Sequence, residues 1–314
     1  MQYKVQEPEF LDGARQSYIT RRIPRKTIYT LLRETAVPES GDLVLVRVQW
    51  LGQIDVLEDH RGHRIPLRQD DLLILAYGNH QDLEQYDAVL PARLGSADLV
   101  TAAGLIASIK CWHHTLSYPT RLEPLGLLGD EHGRRLNLLR FGLENHPVQR
   151  NATCYATVGA RTATLEAMVA SLAQRRQRVG VLQITGTGSA DHREALHMQG
   201  AEWVVDFSDA GFASTYLLLS HELLGIFISL IHHLDRQGAT TIVVEIAGSL
   251  RQRESRLLIG SPLFRASIDG MLIAKEDGRY QRSETDRDQP LPERQLSHDP
   301  GALLAPQAIS GLFR

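Results

Sequence analysis

The stretch around Gly159 has the layout of a phosphate-binding loop without the residues that bind phosphate. A short β-prone run ends at Gly159, small residues follow, and an amphipathic helix pattern begins after them. A working loop reads G-x-x-x-x-G-K-[ST], in which backbone amides surround the phosphates and the lysine neutralises them. Counted from Gly159, the second glycine, the lysine and the hydroxyl residue are replaced by Thr164, Leu165 and Glu166. The stretch therefore predicts a nucleotide-binding architecture that lacks its positive charge.

Further polar groups follow predicted strands in the second half of the chain. They are the turn Thr185-Gly186-Thr187-Gly188, the acidic residues Asp206 and Asp209, and Glu245. In open α/β sheets, ligands bind beyond the carboxyl ends of the strands. We therefore expect these groups to converge with the Gly159 loop on one edge of a sheet.

The chemistry of each residue type predicts a role for it at this edge. Glu245 and Asp209 are the predicted catalytic carboxylates, and Asp206 is the predicted ligand of a magnesium ion, held through water. Backbone amides and hydroxyls of the two glycine turns would bind a cofactor or another anion. The predicted cofactor-binding residues are Gly159, Arg161, Thr162, Thr185, Gly186, Thr187 and Gly188.

Structural alternatives stand beside these roles. The T-G-T-G turn also suits a plain connection from strand to helix, and Ser208 or Asp209 also suits the N-cap of a helix. Glu245 could equally be a buried acid paired with Arg251 or Arg253. His192 and His197 are five residues apart and share a helix face only loosely, so Asp191 is predicted to cap that helix.

The elements that would position these residues alternate between strand and helix patterns. In chain order the predicted strands are 153–159, 178–184, 203–207 and 241–246, and the predicted helices are 163–177, 190–198 and 216–236. Such alternation is typical of a mostly parallel sheet with helices on both faces. The predicted fold class is α/β, with this sheet preceded by a smaller β-rich N-terminal domain.

Most of the predicted elements in the first half of the chain are β-strands. Predicted strands lie at 42–48, 53–58, 64–67 and 71–78, and their close spacing indicates a small barrel or an open sheet. Residues 27–35 are predicted as a short helix, and 96–110 as a connecting helix or a strand–helix mixture. A turn is predicted at 130–133. The predicted domains are 1–146 and 147–275, followed by an irregular tail at 276–314.

Composition excludes several classes of partner. A net charge of −3 favours neither nucleic acid nor an anionic membrane. The longest apolar stretch, 216–234, contains histidines and a glutamate, which suits a buried amphipathic helix better than a membrane span. The two cysteines imply no disulfide framework, so a cytoplasmic location is expected.

Several short sequence motifs, taken in their order along residues 40–270, resemble those of a known group of proteins. The motifs are P-T-R-L-E-P-L-G at 119–126, I-T-G-T-G at 184–188, D-F-S-D-A-G at 206–211 with S-T-Y at 214–216, and V-E-I-A at 244–247 with Q-R-E at 252–254. The second half resembles P-loop NTPases such as dethiobiotin synthetase and molybdopterin-guanine dinucleotide biosynthesis protein B. More closely, it resembles a bacterial family of unknown function related to D-glutamate N-acetyltransferase. The resemblance implies a P-loop NTPase-like sheet, with ATP and magnesium as cofactors.

This chain departs from the family pattern at the residues that handle phosphate. The family's G-K-T is replaced at 160–164, the lysine before the T-G-T-G turn is replaced by Gln183, and an aspartate is replaced by Gly248. Phosphoryl transfer depends mostly on positioned positive charge. The sequence therefore predicts a degenerate Walker A protein, a pseudoenzyme with weak or no NTP hydrolysis.

Three functions remain open at this point. The first is a protein that binds a small-molecule ligand or a partner, as a homo-oligomer or in complex with an intact paralogue. The alternative is an ATP- or acyl-CoA-dependent ligase or transferase of small-molecule biosynthesis, using the retained acids Asp206, Asp209 and Glu245. A third hypothesis is a regulatory module that binds through the β-rich block.

Overall fold

The computed structural model describes residues 8–33, 37–82, 85–144, 151–248, 250–274 and 280–283. It is a mixed α/β protein whose contacts divide it into two compact units. The first unit contains Met1–Gly142, Thr187–Asp191 and Ser208–Tyr216. The second contains Leu143–Gly186, His192–Phe207 and Leu217–Arg314.

Apart from the start of one helix given below, the regular elements among the described residues of the first unit are strands and three short 3₁₀ turns. The strands are β1 (Arg15–Gln16), β2 (Thr30–Leu32), β3 (Leu43–Trp50), β4 (Val56–Glu58), β5 (Arg64–Pro66), β6 (Leu72–Tyr77), β7 (His80–Gln81), β8 (Tyr86–Val89), β9 (Ala97–Leu99), β10 (Leu105–Trp112) and β11 (Arg121–Gly129). The 3₁₀ turns are Glu9–Leu11, Arg25–Thr27 and Leu138–Phe141.

The strand pairings of this unit close on themselves. β6 pairs with β3, β3 with β11, β11 with β9, β9 with β10, and β10 again with β6. Of the two predicted alternatives, barrel or open sheet, this closed ring is the barrel. Alternate residues of β3 and β6 point inward, so Val44, Val46, Leu73 and Leu75 pack in its interior.

Tyr77 belongs to the same interior cluster and is fully buried, yet its hydroxyl has no hydrogen-bond partner among the described residues. A buried hydroxyl without a partner loses its hydration and gains nothing in return. Tyr77→Phe is therefore expected to raise the free energy of unfolding by about 1 kcal/mol in urea denaturation. Tyr118→Phe, at a side chain that is 68% exposed, is the matched control and should leave it unchanged. A loss of stability in Tyr77→Phe would mean that the hydroxyl has a partner after all.

Two of the helix predictions for the first half are wrong. Within residues 27–35, Thr30–Leu32 is a strand that pairs antiparallel with β11. Within 96–110, Ala97–Leu99 and the first part of β10 are strands that pair with each other. In both places the deciding hydrogen bonds come from a partner strand, which no local pattern reveals.

The second unit alternates strands with helices, as the sequence predicts. Its strands are β12 (Thr153–Val158), β13 (Val179–Thr185), β14 (Ala201–Asp206), β15 (Thr241–Ile246), β16 (Gly270–Ala274) and β17 (Tyr280–Ser283). Its helices are α1 (Thr162–Gln174), α2 (Ala190–Met198, whose first two residues fall in the first unit), α3 (Ser220–Gln237), α4 (Arg253–Gly260) and α5 (Pro262–Ala266).

The sheet of the second unit has the order β14-β13-β15-β12-β16-β17. The first five strands are parallel, and β17 is antiparallel to β16. Helices cover both faces, because alternate residues of β13 meet different helices. Val179 and Val181 pack with α1, whereas a Cβ at Gly180 would lie 3.1 Å from Leu234 of α3.

Helix α3 shows why its segment folds as predicted, apart from its first turn. Its buried apolar residues recur at helical spacing: Leu223, Ile226, Phe227, Leu230, Ile231 and Leu234. The chain leaves the helix at Gly238, whose left-handed φ of 91° ends it. The predicted start at residue 216 is wrong, since the helix begins at Ser220 after Leu217 adopts a φ of 68°.

Parts of the sequence predictions fall outside the described residues. The predicted linker near 144–147 lies there except for Glu144, and so do 275–279 and 284–314 of the predicted tail region. Tyr280–Ser283, within the predicted tail, forms β17. Among the described residues, none of the helices combines the length and apolar character that crossing a membrane requires.

Candidate functional site

The loop after β12 is shorter than a phosphate-binding loop. β12 ends at Val158 and α1 begins at Thr162, so three residues connect them. Gly159 has a φ of 62°, and its amide donates to the carbonyl of Ile246 at 2.8 Å. Arg161 holds the N-cap position without a capping side-chain bond, and both Arg161 and Thr162 are exposed. The positions that would carry glycine, lysine and hydroxyl in a phosphate loop are already helical.

The turn after β13 is fixed by the side chain that precedes it. Gly186 has a φ of 111°, and a Cβ there would lie 2.7 Å from Ala247 and 3.0 Å from Gln183 Nε2. Only glycine suits this position, because it tolerates the backbone angle and leaves room for the carboxamide. Thr185 is 2% exposed, and its hydroxyl has no hydrogen-bond partner among the described residues.

Near the carboxyl ends of the strands, one face of the sheet changes from apolar to polar side chains. Four apolar side chains lie side by side in register and face α1: Tyr155, Val243, Val181 and Val204. Two residues further on, the same face carries a second set in register, here called the polar row: Thr157, Glu245, Gln183 and Asp206. Each member of the polar row is at most 6% exposed. The row lies at the carboxyl ends of four neighbouring parallel strands.

Helix α2 adds a histidine to the polar row. His192 Nε2 lies 2.7 Å from Glu245 Oε2, and the two side chains are 15% and 8% exposed. The carboxylate therefore orients the imidazole, as it does in general acid–base pairs. His192 is the residue that sequence reasoning passed over, since a histidine in the first turn of a helix gives no sign of what it faces.

The surroundings of His192 favour its charged form. Burial alone lowers the pKa of the imidazole, but the hydrogen bond to Glu245 and the charge of that carboxylate outweigh it. Glu166 on α1 and Asp206 add further negative charge. The pKa of His192 is therefore raised above its ordinary value of 6.5.

This shift predicts a pH dependence of stability. A raised pKa in the folded state stabilises the fold below pH 6.5, and that contribution is lost as the pH rises from 6.5 through the raised pKa. Urea denaturation of the wild type and of His192→Gln across this range measures the effect, because the difference cancels the other titrating groups. We expect the wild type to lose stability relative to the variant as the pH rises. A constant difference would contradict the charged pair.

The remaining predicted residues belong to the first unit. Asp209 Oδ2 lies 2.6 Å from Arg21 Nη2, with side chains 5% and 9% exposed, and Arg22 lies 3.8 Å from its other oxygen. Arg21 also donates to Ser208 Oγ at 2.6 Å and stacks on Tyr18, 3.9 Å from the ring centre. This network favours a structural role for Asp209. It is not a helix cap, because the next helix begins only at Ser220.

Thr187 and Gly188 also lie in the first unit, where Thr187 is exposed and Gly188 is buried.

The start of α2 is capped differently from the prediction. Asp191 lies inside the first turn and pairs with Arg64 at 3.3 Å. Glu58 accepts from the amide of Ala190 at 2.7 Å, and burial raises the pKa of its carboxyl group. Sequence reasoning did not single out Glu58.

Glu245 pairs with His192 on helix α2. Arg253, one of the two arginines considered, donates to the carbonyl of Leu218 at 2.8 Å and lies 3.3 Å from Glu254. Within the described ranges, no group of three or more His, Cys, Asp or Glu side chains is placed to hold a metal ion.

The sequence matches no model of a known protein family, and it matches no curated protein. The resemblance to P-loop NTPases therefore stays a prediction, and so do the catalytic role of Glu245 and the metal-binding role of Asp206.

Proposed function

We propose that the second unit binds a small-molecule ligand at the carboxyl edge of its parallel sheet, on a degenerate P-loop NTPase-like scaffold that hydrolyses NTP weakly or not at all. The buried polar row beneath His192 carries this proposal. Burying carboxylates, an amide and a hydroxyl costs free energy that an apolar core would avoid. Polar groups gathered at the carboxyl ends of parallel strands are the usual setting of a ligand site.

The composition of the polar row argues against phosphoryl transfer. The row contributes two carboxylates, a carboxamide and a hydroxyl, and its neighbour His192 is hydrogen-bonded to one of the carboxylates. Gln183, which stands where the resembling proteins have a lysine, is uncharged. Transfer of a phosphoryl group requires cations around its oxygens. The three-residue loop after β12 also leaves no backbone stretch to surround a triphosphate.

A thermal-shift screen with matched variants tests the proposal. The compounds are nucleosides, nucleotides, amino acids and acyl-CoA thioesters, and the proteins are the wild type, Glu245→Gln and Glu202→Gln. Glu202 is a carboxylate of the same unit that is exposed and paired with Arg178 at 3.1 Å. We expect a ligand that raises the melting temperature of the wild type and of Glu202→Gln but not of Glu245→Gln. If every stabilising compound acts equally on all three, the polar row is not the site.

A transferase is the second candidate, and the His192–Glu245 pair is the observation that favours it. In this role neutral His192 accepts a proton from an attacking amine or hydroxyl, while Glu245 holds the ring and stabilises the imidazolium. The attacking atom then forms a bond to the acyl carbon of a thioester, the carbon–sulfur bond breaks, and the thiolate takes the proton from the imidazolium of His192 and leaves as free thiol. Release of free thiol from acyl-CoA, lost in His192→Gln, would favour this candidate over ligand binding alone.

A further inference from the structure

Three aromatic side chains form an exposed cluster on the first unit. Trp50 and Trp112 are each 40% exposed, and Tyr118 is 68% exposed. The Tyr118 ring lies 6.3 Å from that of Trp50 and 5.9 Å from that of Trp112, measured between ring centres. Two of the three tryptophans in the chain are thus held at one exposed place, here called the aromatic cluster.

The backbone holds the aromatic cluster in place. Trp50 ends β3 and Trp112 ends β10. The carbonyl of Tyr118 accepts from the amide of Gln53 at 2.8 Å, and the side-chain oxygen of Gln53 accepts from the amide of Ser117 at 3.0 Å. A Cβ at Gly52 would overlap the Tyr118 carbonyl, so the two loops fit only with glycine there. Rings fixed in advance lose little entropy when a ligand covers them.

The charged neighbours of the aromatic cluster largely cancel. Arg121, which lies opposite Trp50 in the β3–β11 pair, is 3.2 Å from Asp98. Arg47 lies 3.5 Å from Glu123. The other exposed side chains beside the cluster in sequence include four neutral amides and hydroxyls, one histidine, and one lysine balanced by one aspartate: Gln49, Gln53, Thr115, Ser117, His114, Lys110 and Asp55. Binding of single-stranded nucleic acid combines aromatic stacking with a run of cations, which these neighbours do not supply.

We propose that the aromatic cluster binds a neutral carbohydrate. Contiguous exposed aromatic surface marks an interaction site, and the balanced charges around it fit an uncharged ligand. A sugar ring offers C–H faces that pack on aromatic rings and hydroxyls that bond to amides and hydroxyls. The rings are inclined at 66° and 58° to Tyr118, so they form a corner and not a flat platform. A corner suits the end or bend of a soluble oligosaccharide.

Tryptophan fluorescence tests this directly. In a Trp203→Phe background, only Trp50 and Trp112 remain as tryptophan probes. The probes to be titrated are cellohexaose, chitohexaose, maltohexaose and laminarihexaose, with oligo-deoxythymidine and decaproline for comparison. We expect at least one oligosaccharide to give a saturable change. Its affinity should fall about tenfold in Tyr118→Ala and stay unchanged in Leu139→Ala, a control at an exposed leucine of the same unit.

Several results would overturn the proposal. One is the absence of a saturable change with all four oligosaccharides at millimolar concentration in protein whose circular dichroism matches the wild type. Another is binding of deoxythymidine or decaproline, but of no sugar, through Tyr118. A third is a concentration-dependent dimer that Trp50→Ala abolishes, which would make the aromatic cluster an interface between copies of this chain.

Discussion

Glu245→Ala is expected to lower the free energy of unfolding by about 3 kcal/mol, because it removes one member of a buried, hydrogen-bonded charge pair. Glu245 lies on β15, between β13 and β12 in the sheet, and it is 6% exposed. Without it, the imidazole of His192 stays largely buried without its 2.7 Å partner. Equilibrium urea denaturation at pH 6, below the raised pKa of His192, measures the loss.

Two further variants show whether charge or size causes this loss. Glu245→Gln keeps the volume and a hydrogen-bonding group, so its loss should be smaller than that of Glu245→Ala. Glu202→Ala removes an exposed partner of Arg178 and should cost less than about 1 kcal/mol. If Glu245→Ala costs no more than Glu202→Ala, the pair contributes little to the fold and the account of the polar row is wrong.

Asp209→Ala is expected to lower the free energy of unfolding by about 3 kcal/mol, because it also removes one member of a buried charge pair, here in the first unit. Arg21, which is 9% exposed, would lose the carboxylate partner that lies 2.6 Å away. Its bond to Ser208 and its stacking on Tyr18 fix the guanidinium, so it cannot turn to water without losing them. Arg21→Lys should also destabilise, because an ammonium group reproduces neither the planar contacts nor the stacking.

Asp191→Ala is the matched control for Asp209→Ala. Its pair with Arg64 has nearly the same chemistry in the same unit, but the side chains are 50% and 58% exposed. Exposed pairs contribute little, so a change below about 1 kcal/mol is expected. An Asp209→Ala protein as stable as the wild type would contradict the structural role of Asp209.

The sequence predicted the second unit well and the first unit only in part. Helix α3 carries its own signals, an apolar stripe and a terminal Gly238, and the strand at Thr241–Ile246 is a short β-branched run. Both depend on local patterns. Residues 96–110 carry an apolar pattern that suits helix or strand, and the choice depends on partner strands elsewhere in the chain.

The candidate site, too, was predictable from the sequence only in part. Glu245 and Asp206 could be placed at strand ends from the sequence, because parallel strands end on a common edge. Their register with Gln183 could not, since one residue of slip would point any of them to the opposite face. His192 was missed for a related reason: its partner lies 53 residues away. Gln183 was noticed only as the place of an absent lysine.

Calorimetry with ATP and magnesium, combined with measurement of phosphate release, tests the central claim most directly. That claim is our proposal that the second unit is a degenerate P-loop NTPase-like sheet, lacking the cations that phosphoryl transfer needs. We predict no submicromolar binding of magnesium ATP and no phosphate release above that of buffer. Submicromolar binding together with turnover would contradict the account.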